Sequence, residues 1–417
     1  MRRRDTFPSA AAAAALLGVP LEGATAGLSA LPDEKLLARD PDKYWKKIRD
    51  EQFLLPNWRA FLNNGSLGVA PRPVVKAVAD YLHSSAALEM DYYPRWGYEL
   101  MDEYRQELAD FYGCKQPEIA FVHNATEAMC TIANGIDLKA GDEVLMTDQE
   151  HPSGRGCWQM KAARYGVTLR EVALPIPPKN AAQLADVMTS AIGPRTKVIS
   201  FSGILTTTGL IMPIREICDY ARSKGIVSVV DGAHMHGQIG FRTSDLHCDY
   251  MAGSPHKWAY APAGCGLLYV REENLGKLWP SIASGSWNEQ KLNAARFMNV
   301  GTNNRAIFEG MMAGLRFLKQ LGPERVYARI HELARYTSRK ASESKHVELQ
   351  SAADDKLYGS LVSIKHKRTD LEGFHALLKK KRIWAVLGPK PRMSSHIHTR
   401  KQDIDLYFET MNEAFGG

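Results

Sequence analysis

A chain of 417 residues, 45% of them hydrophobic, has enough apolar surface for a large core and room for one large and one small domain or two equal ones. The 53 basic and 46 acidic residues leave a net charge of +7 that is scattered along the chain, and the longest basic run, Lys379-Lys380-Lys381-Arg382, reads as a solvated helix end. A nucleic-acid partner is therefore not expected, whereas an anionic substrate fits the charge.

The first thirty residues differ from the rest. Arg2-Arg3-Arg4 precede a mild, alanine-rich apolar stretch over 10–21, and Ala24-Thr25-Ala26 offers a small-x-small cleavage site. This is the layout of an export leader, too short to span a bilayer as a mature helix. The adjacent arginines resemble a twin-arginine signal, which Asp5-Thr6-Phe7 matches imperfectly. A periplasmic or exported protein is expected, with a cytoplasmic one as the alternative, and no membrane insertion once the leader is removed.

From about residue 110, short β-branched runs alternate with amphipathic stretches. Strands are expected over 119–123, 143–147, 168–173, 197–201, 226–231, 250–253 and 266–270, and helices over 126–136, 157–165, 182–192 and 213–224. Such alternation predicts right-handed crossovers and a mostly parallel sheet covered by helices on both faces. After about residue 305 the pattern becomes a long helix over 306–320, a strand over 360–365, and helices over 371–381 and 402–414. The expected division is a leader (1–30), an N-terminal segment packing with the small domain (31–67), a large domain (68–304) and a small α+β domain (305–417). The six cysteines show neither C-x-x-C spacing nor a partnered histidine pattern, so no metal site is expected. They read as small buried apolar residues, with a disulfide permitted in an oxidising compartment.

Residues that carry chemistry follow these strands. Lys257, in Ser254-Pro255-His256-Lys257-Trp258, comes just after the 250–253 strand, where α/β sheets place ligands; alone, such a lysine is a solvated loop residue. Asn124-Ala125-Thr126-Glu127 bridges a strand and a helix. The N–H groups there and the Thr126 hydroxyl suit a phosphate, although Thr126 in isolation is an ordinary N-cap. Asp231 ends the apolar Val229-Val230-Asp231-Gly232 run, where Asp-Gly also suits a turn, and Glu150-His151 follows the 143–147 strand.

In type and order these segments resemble the class V aminotransferase family of fold type I pyridoxal-phosphate (PLP) enzymes, most of all its isopenicillin N epimerase-like branch. The resemblance covers nearly all of the chain after the leader. It implies an α/β fold: a PLP-dependent transferase-like large domain with a mostly parallel seven-stranded sheet between helices, plus a smaller α+β domain. It implies that Lys257 holds pyridoxal 5'-phosphate as a Schiff base, that Ala125, Thr126, Ser254 and His256 lie near its phosphate, that His151 stacks on its ring, and that Asp231 pairs with the ring nitrogen. His234 and Thr206 fall where relatives contact the ring hydroxyl through other residue types, and Pro255 stands where the family prefers a small residue. Gly301-Thr302-Asn303 resembles the element that reaches the phosphate of a neighbouring subunit, which implies a homodimer with a shared active site. Arg392 resembles the clamp for a substrate carboxylate, although His398 and Thr399 replace the aromatic and amide that commonly follow it. Asn64 belongs to the opening segment beside the substrate, with residues 92–96 and Trp287 expected in the same pocket.

The implied activity acts on the amino group of an amino acid or amino-acid-derived metabolite through an external aldimine and a carbanion. Lys257 is the general base, and transamination is the first expectation. Epimerisation, with His234, Tyr92, Tyr93 or Tyr98 as a second acid–base group, and β- or C–S lyase chemistry are the alternatives. A degenerate protein that binds PLP or an amino acid without turnover is a further one, against which the intact Lys257, Asp231 and Arg392 count. Cysteine desulfurases carry a nucleophilic cysteine between the Gly-Thr element and the arginine. The last cysteine here is Cys265, before both, which argues against a desulfurase.

Overall fold

The computed structural model describes residues 31–90 and 101–416; the leader, residues 92–96 and Tyr98 lie outside the described residues. Near the N-terminus, β1 (Ala60–Phe61) precedes α1 (Arg72–Ala86). The large domain then runs β2 (Ile119–Val122), α2 (Ala125–Gly135), β3 (Glu143–Thr147), α3 (Pro152–Tyr165), β4 (Thr168–Val172), α4 (Ala181–Ser190), β5 (Thr196–Ser202), α5 (Ile214–Ser223), β6 (Val227–Gly232), β7 (Tyr250–Gly253) and β8 (Gly266–Val270). Its seven strands lie in the order β2-β8-β7-β6-β5-β3-β4. Strands β3 to β7 are parallel, and β8 is antiparallel to both β7 and β2. β2 therefore points the same way as the parallel set, and β8 alone is reversed.

The sheet is buried on both sides, and successive residues serve different cores. Val144 and Met146 face one hydrophobic cluster while Leu145 faces the other; Val229 and Val230, and Ala252 and Met251, divide in the same way. On one side α2 and α3 contribute Met129, Ile132 and Trp158; on the other, α4 and α5 contribute Leu184, Met188 and Ile217. Strand boundaries agree with the sequence to within a residue or two. The larger difference is α3, which begins at Pro152 rather than near 157. Gly154 and Gly156 weaken the helical signal of its first turns, whereas a proline at the first helical position is well tolerated.

The C-terminal part consists of α6 (Ala306–Leu321), α7 (Pro323–Glu343), β9 (Val347–Leu349), β10 (Leu361–His366), α8 (Glu372–Lys380), β11 (Ile383–Trp384), β12 (Arg392–Ser394) and α9 (Lys401–Phe415). Strands β12-β10-β9 form an antiparallel sheet, packed through Ile364 and Met393 against Phe374, Ile404 and Tyr407. β1 pairs in parallel with β11, which carries Ala60 and Leu62 into this small core. Helix α6, grouped by sequence with the small domain, sends Phe308, Met311, Met312 and Leu315 into the core of the large sheet. Among the described residues no helix is long and apolar enough to cross a membrane.

Candidate active site

Six strands end on the same side of the large sheet, and the loops beyond five of them line a cavity of about 240 Å³. Each loop brings one chemical element. β2 leads into Thr126, β3 into His151, β5 into Ser202 and Thr206, β6 into Asp231 and His234, and β7 into Ser254, His256 and Lys257; Arg392 reaches in from β12. This is the carboxyl-end crevice in which open α/β sheets bind ligands.

Lys257 sits in the short helical turn Pro255–Trp258, with Pro255 at a position that needs no N–H. The turn is clamped from outside. Asn64 Nδ2 donates to the Lys257 carbonyl at 2.7 Å, and the Gly68 N–H donates to the His256 carbonyl at 2.9 Å. A Cβ on Gly68 would stand 2.2 Å from the Lys257 oxygen, so only glycine permits that approach. Burial pushes the Lys257 ammonium down to about 8, Arg392 adds to the effect and Asp231 opposes it. A substantial neutral fraction near physiological pH suits both a nucleophile and a base.

His234 lies 3.2 Å from Lys257 Nζ and 3.2 Å from Thr206 Oγ1, both through Nε2. Its Nδ1 accepts from the Trp258 indole N–H at 3.2 Å, so the ring proton resides on Nε2. Burial first, then Lys257, Arg392 and His151, hold its pKa well below the usual histidine range. His234 is therefore a neutral N–H donor facing the cavity. Arg392 donates from Nη1 to Thr206 Oγ1 at 2.9 Å and from Nη2 to Ser66 Oγ at 3.2 Å, while its buried Nε has no hydrogen-bond partner among the described residues. An unclaimed buried donor costs free energy unless a ligand takes it.

Asp231 is 7% exposed, and its Oδ1 accepts the Ala233 N–H at 3.0 Å. Gly154 closes over the same carboxylate: a Cβ there would stand 3.1 Å from Oδ2. His151 caps α3, its Nδ1 accepting from the Ser153 N–H at 3.2 Å, and its ring lies at the cavity wall. At the opposite end, Asn124 Oδ1 takes the Glu127 N–H at 2.9 Å and Ser254 Oγ takes the Ala125 N–H at 3.1 Å, with Thr126 at the wall between them. The N-terminus of α2 and these hydroxyls make an anion site. His256 Nδ1 donates to the Cys265 carbonyl at 2.6 Å, which leaves Nε2 as the atom available to a ligand.

Three expected residues lie outside this cavity. Asn64 is buried behind Lys257, with Oδ1 accepting from His398 Nε2 at 3.2 Å; Gly65 and Ser66 line the cavity in its place. Thr302 is exposed and outside the cavity of this chain, as is Trp287, which stacks on Trp279. Sequence reasoning also passed over Ser202, Gly154 and Glu150, whose only signal was their position at strand or helix ends.

The family model for aminotransferase class-V matches residues 61–404. The chain belongs to the class V aminotransferase family. Isopenicillin N epimerase of Amycolatopsis lactamdurans is 31% identical over 392 residues, covering 88% of this chain and 98% of that protein. Cysteine desulfurase of Cronobacter sakazakii is 31% identical over 318 residues, covering 72% and 75% respectively. Two solved structures of C-DES are also similar. One, a mutant with glycine covalently linked to the PLP cofactor, has a TM-score of 0.76 and 26% identity, covering 86% of this chain and 97% of that chain. The other, described as a cystine C–S lyase in complex with its product cysteine persulfide, has a TM-score of 0.75 and 27% identity, covering 86% and 98%. The desulfurase relatives count against the expectation, drawn from the missing late cysteine, that the chain is not a desulfurase, while C–S lyase chemistry stands as the alternative it already was.

As a member of this family the protein is a fold type I enzyme whose cofactor is pyridoxal 5'-phosphate. The residues present fit that group. A helix N-terminus with flanking hydroxyls suits the phosphate, a buried carboxylate suits a protonated ring nitrogen, and a buried amine of lowered pKa suits the aldehyde.

Proposed function

We propose that this class V family member removes the α-proton of an amino acid or amino-acid-derived metabolite with Lys257 as base and returns it in a transamination. One observation carries the reading: the one amine among the described cavity residues, its pKa lowered by burial to about 8, lies with a carboxylate and with a guanidinium whose Nε has no partner among the described residues. Bound pyridoxal phosphate supplies an electron sink for charge left at the α-carbon. Asp231 holds the ring nitrogen protonated, Arg392 takes the substrate carboxylate, and Lys257 carries the proton. His234 stays neutral and orients rather than exchanges. A proton shifted along one face needs only one carrier, and Lys257 is that carrier.

Epimerisation is the second reading, supported by the isopenicillin N epimerase relatives that span nearly the whole chain. It needs a further proton carrier across the substrate from Lys257. His234, 3.2 Å from Lys257 Nζ, sits beside that base. C–S cleavage is a third, supported by the C-DES likeness. The test is incubation of the holoenzyme in D₂O with L- and D-amino acids, with and without a keto-acid acceptor. We expect α-deuterium in the wild type and none in Lys257→Ala. Keto-acid product with matching amination of the acceptor supports transamination, loss of chirality without keto acid moves the assignment to epimerisation, and pyruvate, ammonia and cysteine persulfide from cystine without amination of the acceptor move it to a lyase. No exchange with any donor leaves a PLP-binding protein without turnover.

We further propose that the active site is shared in a homodimer. Trp279, Ile282 and Trp287 are 52%, 49% and 37% exposed, and Ser284 in the same segment donates to the Asn299 carbonyl beside the Gly301-Thr302 turn. An exposed apolar group of that size next to the expected phosphate-reaching turn supports a protein interface. Export through the twin-arginine route is the matching proposal for location, because a PLP protein acquires its cofactor while folding in the cytoplasm.

A further inference from the structure

Beneath Asp231 lies a second carboxyl that the mechanism above does not use. Glu150 is 9% exposed and sits three residues beyond the end of β3. Its Oε1 accepts from Thr147 Oγ1 at 2.5 Å. Thr147 Oγ1 also accepts the Gln149 N–H at 3.1 Å; it donates its own hydrogen to an ionised Glu150 and keeps a lone pair free for a protonated one. Its Oε2 meets Ser202 Oγ at 2.7 Å, and no other contact fixes which of these two oxygens holds the hydrogen. Ser202 lies at the cavity wall and is the direct cross-strand partner of Asp231 in the β5–β6 register. Glu150, Ser202 and Asp231 therefore stand side by side at three adjacent strand ends.

We propose that Glu150 and Ser202 form a proton-holding pair that tunes the charge around Asp231. The inference rests on the reading of Asp231 as the partner of the cofactor's ring nitrogen. When Glu150 is ionised it accepts from Ser202, and two carboxylates face the cofactor's positive end. When Glu150 is protonated it donates to Ser202, whose own hydrogen then turns toward the cavity, and the negative charge beneath the ring is halved. No bond other than O–H is made or broken, and the proton comes from solvent.

The electrostatics agree with this geometry. Burial is the main cause that raises the Glu150 pKa to about 7; the two hydroxyls oppose it, and the charge on Asp231 adds to it. Asp231 on β6 is the charged side chain that raises it further. Around Asp231, Lys257 beyond β7 and Arg392 on β12 are the cations, and His151 beside Glu150 is held below the usual histidine range by burial. A carboxyl that changes charge near neutrality, beside the residue that sets the cofactor's charge, makes cofactor titration depend on two groups rather than one.

The experiment is a pH titration of the visible absorption of purified holoenzyme, for wild type, Glu150→Gln and Ser202→Ala, with melting temperature recorded on each sample. We expect a broadened titration in wild type. In Glu150→Gln it should sharpen to one step, with its midpoint about 0.5–1 pH unit lower, since a negative charge that favoured the protonated linkage is gone. Ser202→Ala should move the midpoint in the same direction, because a carboxyl short of one donor keeps its proton to higher pH. This second variant stands in if Glu150→Gln fails to fold. A midpoint within about 0.2 unit of wild type in the folded variants, whatever the change in melting temperature, leaves Glu150 a merely structural residue and overturns the proposal. Absence of any visible band in wild type after added PLP would instead sink the cofactor reading, and this proposal with it.

Discussion

At the scale of single residues, burial decides the charge states, and each has a measurable sign. Glu150 binds its proton to about pH 7 in the folded protein, against 4.5 for an ordinary glutamate. Between those values the unfolded chain has released a proton that the folded protein keeps, so stability falls as pH rises through that window and the loss is complete above it. The gap of about 2.5 units corresponds to roughly 3 kcal/mol. Glu150→Gln should remove that fall, so urea unfolding at pH 5 and pH 8 should differ less in the variant than in wild type; equal differences would show that Glu150 titrates as if in water. Lys257 works as a base only when unprotonated, so α-proton exchange should climb to about pH 8 and then level. Removing the guanidinium in Arg392→Leu takes away a charge that depresses Lys257. The limb should move to higher pH, and KM for a carboxylate substrate should rise by ~10–100-fold as charged hydrogen bonds are lost. Lys257 and Asp231 were legible as residues because Asp231 ends one apolar run, Lys257 comes shortly after another, and both segments resemble family motifs in the right order. Glu150 was not, since its partners come from strands 50 and 80 residues away, and adjacency of β3, β5 and β6 is not written in any local pattern.

At the scale of elements, the loop 63–68 does more than border the substrate. Asn64 and Gly68 hold the backbone of the turn that carries Lys257, and Asn64 is itself held by His398 from the small domain. Gly68→Ala forces a Cβ against the Lys257 carbonyl, for which we expect about 1–3 kcal/mol of destabilisation and a weaker visible band on thermal and spectral measurement. Gly156→Ala is the contrasting case. Its added Cβ meets nothing within 4 Å, and an alanine inside α3 should stabilise by up to ~1 kcal/mol. A loss of stability there would mean that α3 needs freedom at its N-terminal turns. Apolar runs and caps were readable for most elements, but the early start of α3 was not, because two glycines outweigh local propensity and only packing on α2 and the sheet compensates.

At the scale of the whole molecule, the site draws on two separate sheets and, by our proposal, on two subunits. Arg392 arrives on β12, and β1 ties the N-terminal segment to the small domain. Sedimentation equilibrium should give twice the chain mass, and Thr302→Val should weaken PLP binding several-fold without lowering the melting temperature of the monomeric unit. A monomer at micromolar concentration with full cofactor occupancy would exclude the shared site. For location, residues 1–30 fused to a reporter active only after export should give signal, and signal persisting in cells lacking the twin-arginine translocase would exclude that route.

By itself the sequence determined the alternation of strands and helices, and with it the α/β class, and the order of its motifs singled out Lys257 as the candidate cofactor lysine, because hydrophobic period and short motifs are local properties. It did not determine which strand ends become neighbours, that β8 alone is reversed, or that α6 belongs to the core of the large sheet. Those depend on pairings between residues far apart in the chain. The charge states of Lys257, His234 and Glu150 were decided there as well, since desolvation and neighbouring charge exist only once the strands are assembled.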